Sequence, residues 1–573
     1  MKYKYLLAGV GFMALMSSCE FTDISPKDSL TDKSYWGKAE DLKLYANNLY
    51  TMFPGPDYNL DSQSDDCVST TANATLFDDV TVPGSGGGWS WGNIRICNFF
   101  LNRYHTAVGS ESEINRYVAE VRFFRALDYF SKVKSFGDVP WYESDLKADD
   151  KELLYKARDP RNFVIGKIIE DLEFAAQWLP TPDKAGTGRL HKYVAYTQLS
   201  RVCLYEGTHM KYHNESGSIT SQALLEKAVK AAEAVMASGL YDIVKATDAG
   251  CGQQAFEGYP LYYGNLFIQE DLTGNKECIL PRIYIKDLLM HWLGRDYAKK
   301  GLGYSKDFLE TFLFRDGKPI SAHKEYDDAT LEKELADRDP RMYQIINNPH
   351  RPTLIDLEGV HVWESQNIAP NQGVSGYNLT KYLSPIPDQN EANSSTYDWF
   401  LYRYAEVLLN YAEAKAELGT CTQADLDKTV NLLRDRVEMA HLSINPVVDN
   451  SVDYGYSISP LLYEIRRERR VELATEGFRW SDIVRWKAGK LLENPKTYLG
   501  MTLSEESMAN YPEGTFDGRK VTIGGKTYLK IYEKALDDAG RKWSANDKRY
   551  LNPLPTDQLV LNKNLTQNPG WEE

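Results

Sequence analysis

Cysteine is thinly spread, with seven in 573 residues and no two in a CxxC pair. That arrangement excludes a zinc ribbon and a thioredoxin-type redox site. Six of them, Cys67, Cys97, Cys203, Cys251, Cys278 and Cys421, show no disulfide framework in their spacing, and most read as small buried apolar residues. There is no GxSxG elbow, and no GxGxxG follows a strand pattern. A phosphate loop ending at Gly525-Lys526-Thr527 would need a glycine where Lys520 stands, so that motif fails. Basic surplus is missing as well: 66 Lys and Arg face 81 Asp and Glu, for a net charge of -15. Such a balance argues against nucleic acid and against anionic lipid surfaces. Histidine is scarce too. His209 and His213 have the i, i+4 spacing of a shared metal, but Met210 stands where a zincin carries Glu, and they read as polar residues at a helix end.

What is present is aromatic and tyrosine-rich, with 38 Tyr and 12 Trp against 20 Phe. Rings with a polar handle suit half-wet surfaces. The N-terminus, MKYKYLLAGVGFMALMSSC, has Lys2 and Lys4 ahead of an apolar run from Leu6 to Met16. That run is shorter than the about 20 residues of a bilayer span. With Ser17 and Ser18 before Cys19, it looks like a bacterial lipoprotein signal that leaves Cys19 as the lipidated N-terminus. Met16 departs from the usual Leu, and an ordinary secretory signal is the other reading. No later segment reaches spanning length.

Apolar periodicity predicts a mainly α chain. Helices are expected over 38–53, 111–136, 160–178, 191–207, 221–238, 328–336, 400–418, 422–440, 459–476 and 480–491. Lengths of about 17 to 20 residues with short links suggest helix pairs of the tetratricopeptide kind. Residues 54–92 form a long aperiodic loop. CILPRIYI (278–285) reads as a strand within an irregular stretch, and Gly524-Gly525 as the turn of a hairpin over 520–532. The expected organisation is a signal at 1–18, a helical region at 19–239 carrying the loop, an irregular insert at 240–397, and a helical region with a loop-rich tail at 398–573.

Two stretches raise chemistry. In YEIRRERRVELATEGFRWSDIVRW (463–486), Arg466, Arg467, Arg469 and Arg470 interleave with Glu464, Glu468, Glu472 and Glu476. The spacing predicts a salt-bridged helix packed on its neighbours, not a basic patch. In GSGGGWSWGNIRICNFFL (84–101), the glycines are expected to present Trp89 and Trp91 outward, Trp91 more rigidly, ahead of a helix starting near Ile94; both indoles packed beneath the loop is the other reading. Asp65-Asp66, in the long loop that precedes them, is the acidic pair taken as a candidate, and solvated loop acids are its plainer reading.

Three blocks together resemble the RagB/SusD family of outer-membrane nutrient-binding lipoproteins: AEVRFFRALDYFSKVKSFGDVPWY (119–142), IRRERRVELATEGFRWSDIVRWKAG (465–489) and YLNPLPTDQLVLNKNLTQNPGW (550–571). RYAEVLLNYAEAKAELG (403–419) adds a fourth. The resemblance implies a tetratricopeptide-like scaffold with an irregular region bearing the ligand site. It further implies a non-catalytic lid on a SusC-like TonB-dependent transporter that captures oligosaccharide outside the cell, with no cofactor. Trp91 preceding Ile94, Arg95, Asn98 and Leu101 is similar to the family's aromatic before a helix start. Trp89, Trp91, Asn93, Arg95, Asp65 and Asp66 are therefore candidate ligand residues, with Trp292, Tyr297 and Trp363 added from composition; Asn98 and Arg95 read equally as structural. A lipid-anchored glycan-processing enzyme and a peptide-binding helical scaffold stand as the other readings.

Overall fold

The computed structural model describes residues 36–245, 263–299, 301–348, 354–355, 361–362, 366, 368–369, 373–532 and 540–572. Cys19, Cys251 and Trp363 lie outside them. The fold is mainly α. Its frame is a run of helices: α1 (Ala39–Leu49), α2 (Gly92–Leu101), α3 (Glu111–Phe136), α4 (Arg161–Trp178), α5 (Lys192–His213) and α6 (Ser221–Met236). Neighbours in sequence pack on one another from α3 through α6. Three later helices complete the frame, α7 (Tyr404–Glu417), α8 (Pro460–Glu472) and α9 (Arg479–Arg485). α7 lies against α6 and α8, and α9 against α5. One hydrophobic core joins α1–α6 to Leu408, Ile465 and Leu554, so both ends of the chain share it. A second, tyrosine-rich core gathers the middle segments with Met439, Val471 and Leu529.

α3 shows why the sequence folds this way. Ser110 caps it in a capping box with Glu113, and Gly137, at φ 73°, ends it. It is buried on every side, including Glu120, Arg125 and Lys132. A helix enclosed all round must match its charges. Arg189 reaches Glu120, Arg125 reaches Asp171, and Lys132 reaches Asp128.

Several boundaries differ from those the periodicity predicts, each for a tertiary reason. The helix expected to stop at 207 continues to His213. Gly207 is no breaker there, because a Cβ would lie 2.8 Å from Leu225 Cγ, and its absence lets α6 approach. The segment 422–440 splits at Thr429, whose backbone leaves the helical region and whose hydroxyl donates to the Asp425 carbonyl. Residues 400–403, expected to open a helix, instead belong to a strand, Trp399–Arg403, paired antiparallel with Cys278–Arg282. The hairpin forms as predicted, Lys520–Ile523 with Lys526–Lys530, and Gly524 and Gly525 take the positive φ of 59° and 80° that a two-residue turn demands. Cys67, Cys97, Cys203 and Cys278 are buried free thiols, and Cys421 is half-buried.

The arginines of α8 and α9 are salt-bridged, yet largely not along their own helix surfaces. They are buried and reach across elements: Arg466 to Glu417, Arg469 to Asp482, and Arg485 to Glu413. Glu472 is fully enclosed and accepts from Arg341, Arg403 and Arg436. Burial works against its charge, but Arg436, Arg403 and Arg341 outweigh that and hold the carboxyl well below the usual range.

The blocks that carry the family resemblance meet in space. Asn568 donates to the carbonyls of Phe136 and Asn552, and its own carbonyl oxygen accepts from Arg158 at 2.7 Å. The tail thus clamps the Gly-Asp-Val-Pro turn.

Candidate ligand-binding site

That clamp builds one wall of an open cleft of about 600 Å³. A tail helix, α10 (Thr556–Leu561), contributes Gln558 and Leu561, while the turn contributes Pro140 and Tyr142. The floor comes from the start of α2, with Trp89, Trp91, Ile94 and Arg95.

The glycines before this floor have a geometric job. Gly86, Gly87 and Gly88 all have positive φ, of 72°, 56° and 83°. This backbone suits glycine alone, and a Cβ on Gly87 would come within 2.8 Å of Pro83. The tight path turns Trp89 inward, against the expectation that the loop presents it outward. Trp89 is 8% exposed and packs edge-on against Phe136 at 5.0 Å and Trp91 at 5.3 Å. It still lines the cleft. Trp91 is half-buried, braced edge-on by Tyr142 at 5.3 Å and by Tyr129 at 6.2 Å, with the Lys132 ammonium 5.2 Å from its ring. A ring so held loses little freedom when it meets a ligand. Pro83 and Gly84 carbonyls accept from Thr556 and Asp557 amides, tying the loop to α10.

Arg95 lies one turn beyond Trp91, whose carbonyl accepts from the Arg95 amide at 2.9 Å, so ring and guanidinium share one helix face. Its side chain is exposed. Asn98, also lining the cleft, is occupied: its amide donates to Tyr142 and Ser144 carbonyls, and its oxygen accepts from Arg125. Burial, with Asp159 adding to it, pushes Tyr142 up to about 12, so its hydroxyl stays protonated at neutral pH.

The remaining candidates lie elsewhere. Asn93 is exposed and donates to Asp128. Asp65 and Asp66 are corrected from solvated loop acids to fully buried carboxylates: Arg479 grips Asp65 at 2.6 Å and Arg470 grips Asp66 at 2.6 Å. Burial pushes Asp66 up to about 6, while Arg470 and Arg479 overcome burial at Asp65 and hold it far below the usual range. Neither lines the cleft. Tyr297 is buried edge-on against Tyr58 and Tyr382. Trp292 is half exposed, beside exposed Leu288 and Leu289, outside the cleft. His209 and His213 stack at 4.0 Å, and His213 donates to the Val484 carbonyl at 2.8 Å.

Sequence reasoning missed Tyr142, Lys147, Tyr155 and Leu561, which line the cleft from positions up to 470 residues from Trp91 (561 − 91). The Trp141-Tyr142 pair that follows the Gly-Asp-Val-Pro turn was the available signal for Tyr142.

The SusD family model matches residues 294–571. SusD-like protein P2 of Formosa agariphila is 23% identical over 589 aligned residues, spanning 99% of this chain and 100% of that protein. A SusD-like protein from Bacteroides fragilis superposes with a TM-score of 0.69 at 25% identity, covering 95% of this chain and 100% of the other. A SusD-like carbohydrate-binding protein, also from Bacteroides fragilis, gives a TM-score of 0.69 at 22% identity, covering 93% of this chain and 100% of that one, a likeness of fold.

Proposed function

Since the chain belongs to the SusD/RagB family, we propose that it is a non-catalytic surface protein that captures glycan in the Trp91 cleft. It hands that glycan to a SusC-like TonB-dependent transporter in the outer membrane. Family proteins are associated with the cell surface or outer membrane, and Cys19 is the residue we assign to the lipid anchor. A fold relative described as carbohydrate-binding supports the ligand class.

The observation that carries the reading is the braced, half-buried Trp91 on the floor of an open 600 Å³ cleft. Pyranose rings present C–H faces that lie on an indole, and hydroxyls need polar partners at the rim. Tyr142, Ser144 and Gln558 supply polar groups in the cleft lining. Among the described residues no Asp or Glu lines the cleft.

Affinity electrophoresis of the purified protein through gels containing different polysaccharides tests this. Retarded mobility with no sugar release is the expected outcome. Unchanged mobility in every gel contradicts glycan capture, and product formation from a bound glycan contradicts the non-catalytic role.

A further inference from the structure

The charged residues lining the cleft are both cations, Arg95 and Lys147. In a chain of net charge -15 this is a local inversion. Both side chains are exposed, and neither makes a hydrogen bond or ion pair among the described residues. Three acids near them in sequence or packing have partners of their own. Asp145 holds Arg103 and Asn102, Asp128 holds Lys132 and Asn93, and Asp150 accepts the backbone amide of Lys147. The start of α2 lies in the same floor with no side chain capping its amides, which adds a positive end to the field there.

We propose that the cleft selects anionic glycans, bearing uronate carboxylates or sulfate esters, over neutral ones; this rests on the glycan-capture reading of the same cleft. Trp91 takes the sugar face. Arg95, on the same helix face, offers a planar fork that matches a carboxylate or sulfate through two parallel N–H donors. Lys147 supplies a second point charge on the same cleft lining. A strongly acidic chain repels polyanions at long range, so affinity for one has to come from such a local exception.

The test is affinity electrophoresis against polygalacturonate (carboxylate), carrageenan (sulfate) and neutral pullulan, for wild type and an Arg95→Gln/Lys147→Gln variant whose fold is checked by circular dichroism. One anionic gel, or both, retards the wild type more than pullulan does, and which one identifies the anion. Retardation shrinks as salt rises from about 0.1 M to about 1 M, where the Debye length falls from about 10 Å to about 3 Å. The double substitution weakens anionic binding about tenfold or more, as loss of charge-assisted contacts requires. Retardation by pullulan alone overturns the anionic selection and leaves glycan capture standing. Anionic binding unchanged by the double substitution removes the assignment to this cleft. No retardation by any polysaccharide overturns both readings.

Discussion

Arginines and aromatic rings occur together in two regions, under opposite conditions. Around α8 and α9, guanidiniums are sealed from water and matched to carboxylates, three of them on Glu472 alone. At the cleft, Arg95 and Lys147 face solvent unmatched beside two tryptophans. A buried cation is costly unless acceptors meet it, as the carboxylates around α8 and α9 do. Unmatched cations in a concave aromatic setting are therefore the informative ones, and composition alone does not separate the two kinds.

The sharpest way to break this contrast is Glu472→Ala, which removes one buried carboxylate partner from each of three guanidiniums. Removing one partner of a buried ion pair costs about 3–5 kcal/mol, and the loss is expected at that level or above in denaturant unfolding. An effect below about 1 kcal/mol would mean that the lattice is solvated like a surface.

A pH titration probes the same interior more gently. Burial, with Arg161 adding to it, depresses His209 to about 3; burial, with His209 adding to it, depresses His213 to about 3, from 6.5. Their folded pKa lies below the unfolded one, so the stability they contribute is present above pH 6.5 and is lost as pH falls toward 3. Between about pH 7.5 and about pH 5.5 the loss is about 1.4 kcal/mol per histidine. Asp61 acts with the opposite sign, since burial and Asp66 raise it to about 7; Asp66, raised to about 6, does the same. The histidine contribution is therefore read as the difference between wild type and His209→Gln or His213→Gln, whose stability declines less on acidification. Identical slopes would contradict the burial of the pair.

The smallest effect belongs to the surface. Lys43 and Glu40 pair at 3.3 Å with both side chains exposed, and Glu40→Gln is expected to change unfolding stability by no more than about 0.5 kcal/mol. A larger change would blur the distinction between matched interior and free surface charge.

Much of the frame was legible because its signals are local. The cap at Ser110 and the stop at Gly137 bound α3 in sequence as in space. The hairpin at Gly524-Gly525 is equally local. What stayed hidden depends on distant partners. The run past Gly207 needs Leu225 beside it, and the burial of Asp65 and Asp66 needs Arg470 and Arg479, over 400 residues away. The spacing in α8 revealed that its arginines are paired, but apart from Glu464 for Arg467 the main partners lie on other elements, since i, i+4 rules describe an exposed helix. Of the cleft, Trp91 and Arg95 were legible from one short stretch. Trp89 was misplaced because three consecutive positive-φ glycines turn the chain inward.

The central claim, that the braced indole of Trp91 is the ligand platform, is tested most directly by isothermal titration. A polysaccharide that retards the wild type would be titrated into wild type and into a folded Trp91→Ala variant. Loss of an anchoring aromatic is expected to weaken binding by about 1–3 kcal/mol, roughly 5- to 150-fold. Wild-type affinity in a correctly folded Trp91→Ala protein would contradict the account.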